Sequence, residues 1–260
     1  MKTFELLKNL ENIYPLNLQD TFDNAGGQIV FGNDDITGII ISMDVLKETV
    51  DEAIDNNCNL IITHHPILFK PLKTIIQGDA KNDIVIKLLQ NKITVYSMHT
   101  NADKILSSKL SDDLGFFDSE ILIKDSGTLT GYGSLCRLNN GKPFSQILTT
   151  VKEKYGIQNL PYTGDLNRAI YSIAVINGSG GSFIPQLLLR KDIDCIITGD
   201  INYHNYIDTI MYNKCIVDMG HFYSESVLLK YFYSDIIGLT KDRNISVNIS
   251  IVQKSPIKYF

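Results

Sequence analysis

Histidine is scarce in this chain, and its copies are placed where chemistry is usually found. Five histidines occur in 260 residues, and each lies at or just beyond the end of an apolar run typical of a β-strand. Ligands of open α/β sheets collect at the carboxyl ends of the strands, so this placement predicts a metal-binding or catalytic pocket. The residues concerned are His64, His65, His99, His204 and His221, with Asp103, Asp200 and Glu225 as acidic neighbours.

The adjacent pair of histidines is difficult to reconcile with a single metal ion. Consecutive side chains of an extended segment point to opposite sides, so two ions lying side by side suit His64 and His65 better than one. Pro66 follows and biases His65 toward an extended backbone. Farther along, His221 and Glu225 are four residues apart at the predicted start of a helix, which brings them to one face. A lone strand-end histidine is more often structural, so the prediction rests on the whole set.

The donor types indicate which metals the pocket would take. Asp103 and Glu225 can each bridge two cations through a carboxylate. Imidazoles combined with carboxylates suit two divalent ions of zinc, iron, manganese, cobalt or nickel, and the sequence does not choose among them.

Two glycine-bearing loops adjoin the same strand ends. The segment NGSGGSF (177–183) lies between a predicted strand and a predicted helix, so its backbone amides could cradle a phosphate. A plain tight turn explains it equally well, because it matches neither the dinucleotide nor the Walker pattern. The amides in question are those of Gly178, Gly180 and Gly181. In FDNAGGQIVFG (22–32), Asp23 and Asn24 could support the metal ligands, although a simple turn is again an alternative.

The segments around these residues alternate between strand-like and helix-like patterns. Strands are predicted at 36–42, 59–63, 92–98, 169–176, 194–198 and 214–219. Helices are predicted between them at 44–56, 83–91, 183–191 and 202–213. Alternation of this kind is typical of parallel α/β sheets. We therefore predict an α/β fold of two related α/β/α lobes with mostly parallel sheets, and a metal site in the cleft at the C-terminal ends of the strands.

A segment rich in glycine, serine and asparagine separates the two halves. Residues 124–145 suit hairpins and a crossing between lobes. We place the boundary after Asp125, so that the N-terminal lobe (1–125) carries the adjacent histidines and the HxxxD pair of His99 and Asp103. The C-terminal lobe (126–260) carries the GSGGS loop and the HxxxE pair. The alternative is that the two halves share only the generic look of βαβ units.

Composition excludes several classes of function. The net charge is -5 and the lysines are scattered, so no basic stripe predicts direct nucleic-acid binding. No apolar run approaches the ~20 residues of a membrane span, and the first residues lack the apolar segment of a signal peptide. The four cysteines are far apart, which predicts free, buried thiols and a cytoplasmic location.

Seven segments, in this order, resemble the Nif-three-like proteins, also called GTP cyclohydrolase I type 2 homologues. They are TFDNAGGQIVFG, ISMDV, LIITHHPILF, YSMHTNADK, GSGGSF, CIITGDINYH and DMGHFYSES. The resemblance implies a dinuclear metal centre with five ligands, namely His64, His65, Asp103, His221 and Glu225. It places His99 in the pocket as a proton-transferring or supporting group. Asp200 and His204 match a segment whose histidine is not carried by every member, so they are assigned supporting or substrate-binding roles.

The same resemblance implies an activity and an assembly. The activity is metal-dependent hydrolysis of GTP or a related nucleotide, with opening of the imidazole ring and release of formate. The assembly is a homohexameric ring. Two alternatives use the same ligands without turnover: a protein that carries or inserts metal, and a regulatory scaffold with structural metals. His99 and the glycine loop favour catalysis, since a carrier needs neither.

Overall fold

Two α/β units form the structure, a computed structural model that describes residues 1–127 and 129–260. The first unit comprises residues 1–102 and 228–254, and the second comprises 103–227 and 255–260. This division differs from the boundary after Asp125 expected from composition. The reason is that strand Ser246–Ile249 pairs in parallel with strand Gly38–Ser42, so the C-terminal segment returns to the first unit.

Helices and strands alternate through most of the described chain. The strands are β1 (Gly26–Ile29), β2 (Gly38–Ser42), β3 (Leu60–Thr63), β4 (Thr94–Ser97), β5 (Ser119–Lys124), β6 (Gly131–Pro143), β7 (Tyr162–Thr163), β8 (Ala169–Val175), β9 (Cys195–Thr198), β10 (Cys215–Asp218) and β11 (Ser246–Ile249). The helices are α1 (Thr3–Ile13), α2 (Lys47–Asp55), α3 (Ala80–Gln90), α4 (Thr100–Ile105), α5 (Lys109–Asp113), α6 (Phe144–Tyr155), α7 (Ile184–Leu188), α8 (Tyr203–Met211), α9 (His221–Ser226) and α10 (Leu228–Thr240). The α/β class predicted from alternation is confirmed.

The first unit is built on a five-stranded sheet in the order β1-β4-β3-β2-β11. Its pairs are parallel except for β1 with β4. Every residue of β2, β3 and β4 is buried, which explains why these strands are continuous apolar or β-branched runs and not alternating ones. One core cluster includes Ile40, Ile61 and Val95 from successive strands.

The second unit is built on a six-stranded sheet in the order β5-β6-β8-β9-β10-β7. Here β8, β9 and β10 are parallel, while β5, β6 and β7 join in antiparallel pairs. This sheet is therefore mixed, not mostly parallel. The cause is the glycine-rich segment: the predicted hairpin region contains the long strand β6, which pairs on both of its edges.

Strand register brings the candidate residues to one edge of each sheet. In the first unit, Ser42 pairs with Thr63 and Thr63 pairs with Ser97, so the three strands end level with one another. In the second unit, Thr198 pairs with Asp218 at the ends of β9 and β10. Side chains that follow these strands are therefore grouped by the fold itself, as the strand-end argument predicts.

The four cysteines are free and buried, as expected from their spacing. Burial raises the pKa of each thiol: Cys58, Cys136, Cys195 and Cys215. They behave as small core residues and not as nucleophiles. Within the described part of the chain, none of the helices is both long and apolar enough to cross a bilayer.

Candidate metal centre

Three histidines gather at the strand ends of the first unit. His64 and His65 directly follow β3, and His99 follows β4 and precedes α4. One ring nitrogen from each lies within 4.8 Å of one from each of the others. His64 is completely buried and the other two are partly exposed. Three imidazoles this close are a group that could hold a metal ion.

The Nδ1 atoms of these histidines all face oxygen atoms. His64 Nδ1 lies 2.8 Å from the carbonyl oxygen of Met98, His65 Nδ1 lies 2.9 Å from Asp44 Oδ1, and His99 Nδ1 lies 2.6 Å from Asp23 Oδ1. A carbonyl or carboxylate oxygen accepts, so Nδ1 carries the proton and Nε2 of each neutral ring keeps its lone pair. Histidines that bind metal are oriented by this kind of hydrogen bond.

Asp23, the oxygen partner of His99, accepts several hydrogen bonds. Burial alone would raise the pKa of its carboxyl group, but hydrogen bonds from His99 and Thr100 outweigh burial and lower the pKa to about 2. Its second oxygen accepts from both the backbone N–H and the hydroxyl of Thr100. Asp23 therefore remains a carboxylate at neutral pH and fixes the orientation of the His99 ring. Its role as a support for the metal ligands stays a prediction.

The second unit carries the HxxxE pair on a short helix. His221 begins α9, and its Nε2 lies 2.9 Å from Glu225 Oε2 one turn later. Its Nδ1 lies 2.8 Å from Asp200 Oδ2. Asp200 has a left-handed backbone, with φ of 55°, which is a strained conformation for a non-glycine residue and is common at functional sites. His221 therefore has a carboxylate oxygen beside each of its ring nitrogens, and its Nδ1 faces an oxygen acceptor as in the first unit.

The separation of His221 and Glu225 fits a shared cation. His221 Nε2 and Glu225 Oε2 lie 2.9 Å apart, so both atoms could contact one divalent ion. Asp103, in α4, is buried and accepts a hydrogen bond of 2.6 Å from Asn177 Nδ2. Asp103 and Glu225 each offer a carboxylate oxygen, and carboxylates combined with imidazoles suit divalent transition metals.

The three glycines of the GSGGS loop have a packing role. A Cβ added at Gly178 would lie 1.8 Å from Glu225 Oε1, at Gly180 it would lie 2.1 Å from Thr198 Oγ1, and at Gly181 it would lie 2.2 Å from the Asp200 carbonyl oxygen. Gly178 also donates its N–H to Ser224 Oγ over 2.8 Å. The loop is glycine-rich because α9 and the end of β9 lie directly against it. Phosphate binding by these amides stays a prediction.

Replacing Gly178 by alanine should displace the Glu225 carboxylate and lower the affinity for divalent metal. The new methyl group would occupy the position of Oε1, and the residue also has φ of 65°. The matched control is Gly156→Ala, where φ is 63° but no atom lies within 4 Å of the added Cβ. Both variants should lose about 1–2 kcal/mol of stability from backbone strain. Equal metal affinity in the two variants, measured by titration, would contradict the placement of Glu225.

His204 lies apart from the candidate metal ligands, and the sequence prediction did not include two residues that form hydrogen bonds with those ligands. His204 is exposed on α8 and packs on the ring of Tyr203 at 5.5 Å between centroids. No metal-ligand group among the described residues includes it. Asp44 and Asn177 were not singled out, although each follows a strand end. The strand-end criterion would have found both had it been extended beyond histidine and its nearest acidic neighbours.

The comparisons with known proteins cover the whole length of the chain. The model of the Duf34/NIF3 (NGG1p interacting factor 3) family matches residues 1–256. A Clostridium acetobutylicum protein named GTP cyclohydrolase 1 type 2 homolog is 34% identical over 266 residues, which is 100% of this chain and 99% of the relative. A Clostridium perfringens protein of the same name is also 34% identical and is covered in full.

Solved structures share the fold. A Bacillus cereus protein related to NIF3 superposes with a TM-score of 0.91 at 21% identity, and the alignment covers 100% of this chain and 99% of that one. The Staphylococcus aureus protein SA1388 gives a TM-score of 0.90 at 25% identity with the same coverage. The α/β architecture described above is therefore common to proteins whose sequences have diverged widely.

Proposed function

The chain belongs to the Duf34/NIF3 family, and from that premise we propose that it is a metal-dependent hydrolase acting on GTP or a related nucleotide. It would bind two divalent cations. The proposed ligands are His64, His65, Asp103, His221 and Glu225. The identity of the cations follows from the donors only as a class: zinc, iron, manganese, cobalt or nickel.

The common orientation of the histidines is the observation that supports metal binding. In both units the Nδ1 atoms of the candidate histidines face oxygen acceptors, so these rings would bind a metal ion through Nε2. Histidines that bind metal are almost always oriented through their other ring nitrogen in this way. Two cations would supply Lewis acidity that lowers the pKa of water and polarises the group under attack.

His99 is the residue that favours catalysis over simple storage. Its Nδ1 faces a carboxylate, as do those of His65 and His221. The pKa of the carboxylate beside His99, that of Asp23, is lowered to about 2. A histidine oriented by a permanent carboxylate can take a proton at Nε2 and return it, since the carboxylate stabilises the imidazolium. We assign His99 this proton-transfer role.

The experiment that tests the proposal is a formate-release assay on metal-replete protein with GTP as the substrate. GTP is the first choice because close relatives bear the name GTP cyclohydrolase 1 type 2 homolog. Metal-dependent formate release supports the proposal. Absence of release from GTP and from other purine nucleotides, in protein with bound metal, would overturn the hydrolase assignment.

A metal carrier or insertion protein is the alternative that the same ligands allow. A carrier must give up its ions to a chelator or acceptor on the timescale of delivery, whereas a hydrolase retains them through turnover. Transfer of the bound metal to a competing chelator within seconds, with no turnover, would favour the carrier. We also propose the homohexamer that the resemblance implies, which sedimentation analysis can test.

A further inference from the structure

Two exposed phenylalanines lie beside the histidine group of the first unit. Phe22 is 64% exposed and Phe69 is 41% exposed. Their ring centroids are 6.4 Å apart with an angle of 67° between the planes. Phe69 also contacts His99 edge to face, with centroids 6.0 Å apart and an angle of 88°. An aromatic pair thus continues the wall of the proposed pocket from His99 outward.

Hydrogen bonds between two loops fix the backbone next to these rings. Asn24 Nδ2 donates to the carbonyl oxygen of Leu68 over 2.9 Å, and the Leu68 N–H donates to Gln28 Oε1 over 3.1 Å. The Phe69 N–H closes a turn onto the Pro66 carbonyl. The loop of Phe22 and the turn of Phe69 are therefore tied to each other through Leu68, the residue before Phe69.

The same loop is tied to the candidate catalytic histidine. Asp23, next to Phe22, accepts from His99 Nδ1 and from Thr100. The Asp20 N–H donates to Thr100 Oγ1 over 3.0 Å. Asn24 thus joins the loop that orients His99 to the turn that contains Phe69.

We propose that Phe69, assisted by Phe22, is a stacking surface for a planar heteroaromatic ring of the substrate. Large aromatic groups that are exposed and yet held rigidly offer contact area at little entropic cost. Stacking of a base on an aromatic side chain contributes about 1–3 kcal/mol and tolerates any base, because each has a π-face. The surface would hold the ring beside His99. The inference deepens the proposed function, but it concerns binding and does not depend on turnover.

The test is equilibrium dialysis of guanosine, with ribose as the probe that lacks the ring. Phe69→Ala should weaken guanosine binding at least about fivefold, which is the ratio that corresponds to the lower limit of the stacking contribution. Phe69→Tyr should retain wild-type affinity because it keeps the ring. Adenosine should lose as much as guanosine. Phe117→Ala is the matched control, since Phe117 is 75% exposed and belongs to the second unit.

Three results would overturn the inference. The first is that the wild type binds guanosine no better than ribose. The second is that Phe69→Ala binds guanosine with unchanged affinity. The third is that Phe69→Ala sediments differently from the wild type, which would show that the rings form a contact between chains. Metal content and formate release measured on the same samples separate this from the hydrolase proposal. Unchanged guanosine affinity in an active variant rejects the stacking surface alone. Weaker guanosine binding in Phe69→Ala, combined with a metal-replete wild type that releases no formate, rejects the hydrolase alone.

Discussion

Replacing His99 by alanine should lower turnover about 10²–10⁴-fold while the bound metal stays near the wild-type amount. This is the usual contribution of a positioned group that moves a proton in the transition state. His99 is held for that role by Asp23, whose oxygen lies 2.6 Å from Nδ1. The measurement is kcat for formate release by metal-replete protein, with bound metal quantified on the same sample.

Two further variants distinguish proton transfer from metal binding by His99. Asp23→Asn keeps the shape of the partner but removes its charge, so it should lower kcat by a smaller factor and leave the metal in place. His204→Ala is the matched control, because His204 is exposed on α8 and lies outside the candidate groups. If His99→Ala instead lost metal together with activity, His99 would be a ligand, as its membership of the three-histidine group allows.

Replacing Glu225 by glutamine should remove most of the metal affinity. The change conserves size, but it replaces a carboxylate that lies 2.9 Å from His221 Nε2 with a neutral amide. Loss of a partner that merely orients a ligand costs 10–100-fold in affinity, so loss of a ligand that can bridge two cations should cost at least the upper value. Isothermal titration with Zn²⁺ or Mn²⁺ measures the difference directly.

The control for this substitution is Glu153→Gln, which makes the same chemical change on the exposed face of α6. It should bind metal like the wild type. Thermal unfolding of both metal-free variants should show that Glu225→Gln remains folded, because Glu225 is replaced by a residue of the same volume. Metal content in Glu225→Gln equal to that of the control would remove Glu225 from the ligand set.

The strand-end pattern was sufficient to predict most of the fold that supports these residues. Runs such as LIIT and CIIT are buried on both faces, so a continuous apolar segment bounded by polar residues indicates a parallel strand. Five strands are not among the six predicted ones, namely β1, β5, β6, β7 and β11, although the segment that contains β6 was expected to form hairpins. β1 has the sequence GGQI, which carries no β-branched residue before its end, and β7 has only two residues. β11 has the sequence SVNI and is short.

The return of the C-terminal segment to the first unit could not be read from the chain. The local sequence pattern indicates that α10 is apolar, but it does not indicate which sheet the helix packs against. That is decided by the pairing of Val247 with Ile39 and by the edge-to-face contact of Phe232 with Tyr14. Both are contacts between residues distant in sequence, for which a single sequence carries no periodic signal.

Residue types and spacing make the candidate ligands conspicuous in the sequence, but they reveal fewer of the contacts that support those residues. Histidines at strand ends are conspicuous because they are few. Among the oxygen partners, Asp23 and Asp200 belong to segments that the sequence singled out, whereas Asp44 is one of many aspartates and the partner from Met98 is a backbone carbonyl. Likewise, the glycines of the GSGGS loop suggested phosphate binding, whereas the structure explains them by the close approach of Glu225, Thr198 and Asp200.

The number of divalent cations bound per chain at saturation tests the account most directly. Metal-free protein would be dialysed against Zn²⁺ or Mn²⁺, and bound metal would be measured against protein concentration. Because the carboxylates of Asp103 and Glu225 can each bridge two cations, we predict two per chain in the wild type. A saturating value of one would contradict the dinuclear centre, and a value near zero would reject the metal-dependent function altogether.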